Sequence, residues 1–381
     1  MRLLKDQDYL EKNIALRLDL NVPIKDGVVA DATRIEACIP TIEQLLSANC
    51  KLLIISHLGR PTEGTFDKES SLEPVAKYLS NLLNLEIPLC REISFEECFK
   101  DGYQIAMLEN IRCFEGEMNN ELTLSKKIAS ICDMYVFDAF ATAHRAQSST
   151  YGAIIESKVS CAGLLVEKEV LSLTRAFKSF DAPLVSIVGG SKVSTKLSVL
   201  KKLSEISDHI IVGGGIANTF LLAKGFNVGR SLVETDMLVM AKSILEKGNC
   251  ILPTEVFTAK SFDDHHSTMK SIDAIEDDDL ILDINVDSSY KKVLETAKTI
   301  IWNGPAGVFE KEGFKNGTKY LASIISSSNA FSIAGGGETI AAINEFIDPI
   351  KIGYISTAGG AFLEFLEGKK LPALEALGYD F

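Results

Sequence analysis

Four times in the second half of the chain an apolar run ends at a cluster of small residues and then reads into a helical pattern: LVSIVGGSK (184–192), HIIVGGGIANT (209–219), AFSIAGGGET (330–339) and ISTAGGAFLE (355–364). Small residues there let backbone N–H groups at a helix start approach an anion, and the helix dipole favours negative charge at that end. A single turn of this kind carries little weight, because glycines also simply end strands. Four in succession predict one parallel sheet whose carboxyl edge is built to hold phosphate. Within GGSKVSTK, Lys192 and Lys196 stand four residues apart and would share one face of a helix. Two ammonium groups in a first helical turn oppose the dipole unless an anion lies between them and the amides, so a phosphate is expected there. Lys201 and Lys202, further along, read as an exposed face.

Runs of branched residues alternate with amphipathic stretches along the whole chain: ALRLDLNV, KLLIISHL, IAMLENI and MYVFDAF, then LVSIVGG, HIIVGGG, TIIWNGP, AFSIAGGG and IGYIST. This is the pattern of strand-helix units with parallel strands buried on both faces. With 381 residues, more than one core is expected. The expected fold is therefore α/β, two doubly wound parallel-sheet (Rossmann-like) domains. GLLVEKEVLSLTRAFKSF (163–180) has helical spacing with no glycine or proline interrupting it after its first residue and reads as the connecting helix. The expected division is 1–162, the helix 163–180, then 181–364.

Net charge of −13 argues against a nucleic-acid surface but leaves room for anionic small ligands where basic residues cluster. No apolar stretch is long enough to span a bilayer, and the N-terminus lacks an apolar signal core, so the cytoplasm is the expected compartment. The eight cysteines include no CxxC pair and read as free thiols. His265 and His266, in a DDHHST loop, look solvated. Seven of the nine arginines lie within residues 1–150. Arg60, Arg112 and Arg145 follow closely on the ends of apolar runs, and Arg34 opens the RIEACIPTIEQLL helix. Converging on one sheet edge, the four would hold a small multiply charged acid. The first half thus reads as an acid holder and the second as a nucleotide-phosphate holder.

RLDLNVP (17–23), SHLGRPTEG (56–64), LENIR (108–112), DAFATAHRAQSST (138–150), GGSKVSTK (189–196), WNGPAGVFE (302–310), GGGET (335–339) and STAGGAFLEFLEG (356–368) together resemble phosphoglycerate kinase, in order over nearly the whole chain. The resemblance implies a monomeric, hinge-bending, two-domain phosphotransferase with a carboxyl group as acceptor. It would move a phosphoryl group between ATP and 3-phosphoglycerate with magnesium (Mg2+). It further implies that Asp19, Leu20, Asn21, Arg34, His57, Leu58, Gly59, Arg60, Arg112 and Arg145 bind the phosphoglycerate. Lys196, Glu310, Gly336, Gly337, Glu338 and Thr339 would hold the nucleotide, and Glu338 the metal. Arg34 and Lys192 would be the catalytic pair, facing the charge of the transferring group. Residues 365–381 would return to pack on the first domain. Asp19 has a plainer role open to it, orienting Arg34 or capping a turn, and Asn303 could be a turn former.

The chemistry needs no covalent nucleophile and no general base, since the acceptor is already a carboxylate; it needs in-line positioning and charge on the equatorial oxygens. An acyl phosphate hydrolyses readily, so domain closure that excludes water is expected. Glu338 stands where the family generally has aspartate, Ala141 and Ala358 where it has glycine, and Cys113-Phe114 follows LENIR in place of the usual pair. A methyl group at 141 or 358 could narrow the site or restrict its loop. The chain has no GxGxxG turn with an acid about 20 residues on, which a nicotinamide dehydrogenase would require. A non-catalytic relative would be expected to lose Lys192, Lys196 or the arginines, and all are present.

Overall fold

NIALRL, KLLII and MYVFD carry apolar side chains at consecutive rather than alternate positions, so both faces of each strand need cover. They form β1 (Asn13–Leu18), β4 (Lys51–Ile55) and β7 (Met134–Asp138), buried along nearly their whole length. The computed structural model describes Met1–Phe381 and divides into two units, Met1–Leu171 with Lys370–Phe381, and Ser172–Lys369. The division falls inside a helix, Leu164–Phe177.

In the first unit β1, β4 and β7 join β5 (Leu89–Cys90), β6 (Ile105–Leu108) and β8 (Ser160–Ala162) in one sheet of order β5-β6-β4-β1-β7-β8, every pairing parallel. Register sets Leu16 beside Ile54 on one side and Val136 on the other. A two-stranded ribbon, β2 (Ile24–Lys25) with β3 (Val28–Val29), precedes the helix Thr33–Ser47. That helix buries Ile35, Cys38, Ile42 and Leu45 on one face. It thereby sets Arg34, at its second position, at the carboxyl end of the sheet. The chain reverses its direction of travel across the sheet at β1 and β7, which is where open α/β sheets place a ligand crevice. The C-terminal residues belong to this unit: Arg2 donates its backbone N–H to Leu377 (2.8 Å) and Ala373 donates to Ala143 (3.1 Å).

In the second unit β9 (Leu184–Val188), β10 (His209–Val212), β11 (Cys250–Ile251), β15 (Thr299–Asn303), β16 (Phe331–Gly335) and β17 (Tyr354–Ser356) form a second parallel sheet, ordered β11-β10-β9-β15-β16-β17. Its reversal lies between β9 and β15. Beside it, β12 (Glu255–Ala259), β13 (Thr268–Ser271) and β14 (Leu280–Ile284) make a small antiparallel sheet that the apolar pattern did not announce. Its strands are half-exposed, and Thr268–Ser271 buries none of its residues. The doubly wound α/β fold with two parallel sheets is as expected. All eight cysteines are free. No helix is long and apolar enough to cross a membrane.

One local expectation is corrected. Lys192 and Lys196 do not share a first helical turn. The helix after β9 starts only at Leu197, after a short 3-10 turn Ser194–Lys196, so Lys192 lies in the loop. The cause is the close meeting of two loops: a Cβ on Gly189 would stand 1.8 Å from the carbonyl oxygen of Pro305, and Gly304 needs φ +113°. Glu234 then holds the turn by accepting from Ser194 N (2.8 Å) and Oγ (2.5 Å).

Candidate active site

In the first unit the residues expected to hold an acid gather beyond the ends of β1, β4, β6 and β7. Asp19 accepts from Arg34 Nη1 (2.6 Å) and so orients that arginine. Asn21 accepts at Oδ1 from Gly59 N (2.9 Å), tying the loop after β1 to the loop after β4. Arg112 donates Nη1 to Gly59 O (2.6 Å). His57, 3% exposed, has Nδ1 3.4 Å from Arg17 Nη2 and 4.0 Å from Asp19 Oδ1. Burial first, then Arg17, Arg112, Arg145 and Arg34, hold its pKa well below the ordinary imidazole value. It is a neutral hydrogen-bonding group at physiological pH, not an additional cation.

The guanidinium groups crowd one another. Burial, then Arg145, Arg17 and Arg60, bring Arg112 down to about 10, with Glu117 opposing. Arg145 is lowered by burial, Arg60 and Arg17, with Asp19 opposing, and its Nε lies 3.4 Å from His144 Nε2. Like charges packed at this density repel strongly unless a polyanion joins them. Leu20 and Leu58 turn their side chains into the hydrophobic core. Arg60 is exposed. Arg17, the last residue but one of β1 and 1% exposed, is the cluster member that sequence reasoning missed. An arginine flanked by leucines in a buried strand was itself the available signal.

In the second unit a cleft of about 500 Å³ is lined by Gly190, Ser191, Gly214 and Gly215 from two glycine turns, by Leu232, Phe262, Leu282 and Val308, and by Glu310 and Glu338. Its walls are apolar with carboxylates at the rim, suiting a flat base and a polar tail. Glu338 and Thr339 occupy the second and third positions of the helix Gly337–Phe346, whose first internal bond is Ile340 N to Gly336 O (3.0 Å). The N–H groups of residues 337–339 therefore have no partner within the helix. Thr339 is 1% exposed, and its hydroxyl is committed, accepting from Gly304 N (2.8 Å) and donating to Gly335 O (3.0 Å). Lys196 reaches back to donate Nζ to Gly189 O (2.6 Å) and Asn303 O (3.0 Å). Burial lowers its pKa to about 8, with Glu338 opposing. Lys192 is exposed.

The glycine turns are not equivalent. Gly214 N is spent on Ala306 O (2.7 Å) and Gly189 N on Asn303 O (3.0 Å), so those two clusters serve mainly the close approach of loops. Asn303 ends β15 rather than forming a turn, and its Nδ2 donates to Gly335 O (2.7 Å). Ala141 and Ala358 are not among the residues with positive φ, so a methyl group costs no backbone strain at either place. Three acids outside the site, Glu276, Asp278 and Asp279, come together, but Lys260 and Lys270 already pair with them at 2.6–3.0 Å.

The model of the phosphoglycerate kinase family matches residues 4–369. A phosphoglycerate kinase of Vibrio campbellii is 48% identical over 377 residues, covering 98% of this chain and 97% of that protein. One from Francisella tularensis subsp. novicida is 50% identical over 382 residues with the same coverage. Among solved structures, phosphoglycerate kinase from Coxiella burnetii is similar with a TM-score of 0.95 at 44% identity, covering 99% of each chain. That from Pyrococcus horikoshii OT3 gives 0.81 at 32%, covering 99% of this chain and 98% of that one.

Proposed function

The chain belongs to the phosphoglycerate kinase family and transfers a phosphoryl group reversibly between ATP and 3-phosphoglycerate, a step of glycolysis; we propose the following assignment of its residues to that reaction. The crowded cluster of Arg17, Arg34, Arg60, Arg112 and Arg145 around a neutral His57 carries the assignment, because so many cations at one sheet edge suit a multiply charged anion. Asp19, Asn21, Arg34, His57, Gly59, Arg60, Arg112 and Arg145 bind the phosphoglycerate, with Leu20 and Leu58 shaping the backbone. The cleft takes the nucleotide: its apolar walls hold the base, Glu310 the ribose hydroxyls, and Lys196 with the N–H groups of Gly337, Glu338 and Thr339 the phosphates.

A carboxylate oxygen of the acid attacks the γ-phosphorus in line as the bond to the ADP oxygen breaks, and no proton moves. Arg34, fixed by Asp19, and Lys192 face the charge on the transferring group. Mg2+ favours one or two carboxylates completed by phosphate oxygens and water. Glu338 fits that donor set, exposed in the cleft on the first turn of a helix, and would hold the ion; the metal supplies neutralisation of phosphate charge. Residues 1–162 form the acid-binding domain, 181–364 the nucleotide-binding domain, and 163–180 the hinge segment; the return to the first unit begins at Lys370 rather than at residue 365. The enzyme acts as a monomer in the cytoplasm.

A coupled assay of ADP formation tests this, with purified protein, ATP, Mg2+ and 3-phosphoglycerate. Activity that depends on the acid is expected, with a fall of about 100-fold or more in kcat for Arg34→Ala. An Arg34→Ala enzyme with unchanged kcat and KM would remove Arg34 from the site.

A further inference from the structure

Beneath the arginine cluster lies a carboxylate that the reaction does not use. Glu117 is fully buried, in the segment that follows LENIR, and both its oxygens are occupied. Oε1 accepts from Ser149 Oγ (2.6 Å) and Oε2 from Ser149 N (2.9 Å). The same Ser149 hydroxyl accepts from Arg17 Nε (2.9 Å), so it passes the interaction from a buried anion to a buried cation. Tyr135 donates its hydroxyl to Ser149 O, and Ser148 N donates to Glu117 O (3.0 Å). Arg17 Nη1 donates to Leu18 O and Nη2 faces His57, which leaves its plane fixed under the cluster. The cations that act on Glu117 are Arg17 and Arg112.

An isolated carboxylate in an apolar interior costs several kcal/mol, and deletion of one partner of a buried charge pair is expensive. Several guanidinium groups held together are costly for the same reason, and the Asp19 carboxylate pairs directly with Arg34 alone among them. Each problem answers the other. We propose that Glu117, through Ser149 and Arg17, is the built-in counter-charge of the arginine cluster, a positioning residue that keeps the cluster assembled before the acid arrives and limits how tightly it then binds. The proposal rests on the assignment of the cluster as the phosphoglycerate site. It follows that Glu117 and the bound acid are stabilised by the same cations and oppose each other. Removing the charge at 117 should weaken the empty protein and tighten the complex.

The test is Glu117→Gln, which keeps the size and one acceptor, compared with wild type by thermal unfolding and by calorimetric titration with 3-phosphoglycerate. The variant should melt at lower temperature without ligand. Saturating 3-phosphoglycerate should raise its Tm by more than it raises the wild type's, and its Kd for the acid should fall about threefold or more, with ADP affinity unchanged. Ser149→Ala, which cuts the link to Arg17 but retains the charge, should weaken the empty protein without tightening the acid. A Glu117→Gln protein whose Kd and ligand-induced Tm gain match the wild type's would overturn the proposal and leave Glu117 as a support for the Ser149 backbone. A wild-type protein that 3-phosphoglycerate fails to stabilise refutes the site assignment itself.

Discussion

At the scale of single residues, charge and exposure separate the two lysines that the sequence presents together. Lys192 is exposed and free of the ladder of backbone contacts that anchors Lys196, so it can follow a moving charge. Lys192→Ala should therefore lower kcat by roughly 100-fold, about 3 kcal/mol, while KM for ATP changes little. Steady-state kinetics read this directly, and a raised KM with kcat intact would make Lys192 a ground-state contact. Lys196 is different, because burial already brings its ammonium down to about 8. A bound phosphate favours the protonated form, so ADP affinity without Mg2+ should fall as pH rises through that value. Glu338 supports the ammonium, and Glu338→Gln should move the midpoint to lower pH. Calorimetry across that pH range in the presence of a chelator is the check. A flat profile would show that Lys196 meets no phosphate.

At the scale of elements, one carboxylate pins two helices to the end of a strand. Asp138 closes β7 and accepts from Thr41 Oγ1 (2.5 Å) in the helix Thr33–Ser47 and from Val166 N (2.9 Å) in the helix Leu164–Phe177. A Cβ at Gly163 would stand 2.3 Å from its Cγ, which is why the chain turns there at glycine. Burial pushes Asp138 up to about 6, from 3.8. The folded state thus holds a proton that the unfolded state has already lost, and stability falls as pH rises from about 4 past 6. Asp138→Asn removes this term. The variant should gain on the wild type by an amount on the order of 3 kcal/mol between pH 4 and pH 7, read from urea unfolding at the two values. An unchanged difference would mean that Asp138 is ionised in the fold at both.

At the scale of the whole molecule, two parallel sheets reverse direction at two places and each reversal carries a different chemistry. Arginines follow β1, β4, β6 and β7 around the first reversal, and glycine turns with an apolar cleft follow β9, β10 and β15 around the second. The division of labour predicts separable binding. Arg112→Ala should weaken 3-phosphoglycerate binding about tenfold or more, by loss of a partly buried charge-assisted contact, and leave ADP binding within about twofold. Separate calorimetric titrations decide it, and equal losses for both ligands would collapse the two-site division.

The sequence determined the fold class, the succession of buried strands and the family, because doubly covered strands leave uninterrupted apolar runs and the site motifs are contiguous. It could not show the edge strands β5, β8 and β11, two or three residues long, or the antiparallel sheet, whose strands are half-exposed and lack a clear period. Arg17 and Glu117 were hidden for a related reason. Their meaning lies in Ser149, 132 and 32 positions away, and a pairing over that distance leaves no local pattern. The glycine turns show the boundary most clearly. Composition marked four places where the backbone can approach something closely, while the tertiary structure decided that Gly189 and Gly214 spend their N–H groups on another loop of the protein. A glycine permits close approach without specifying a partner, and only the packing of β9 against β15 supplies one.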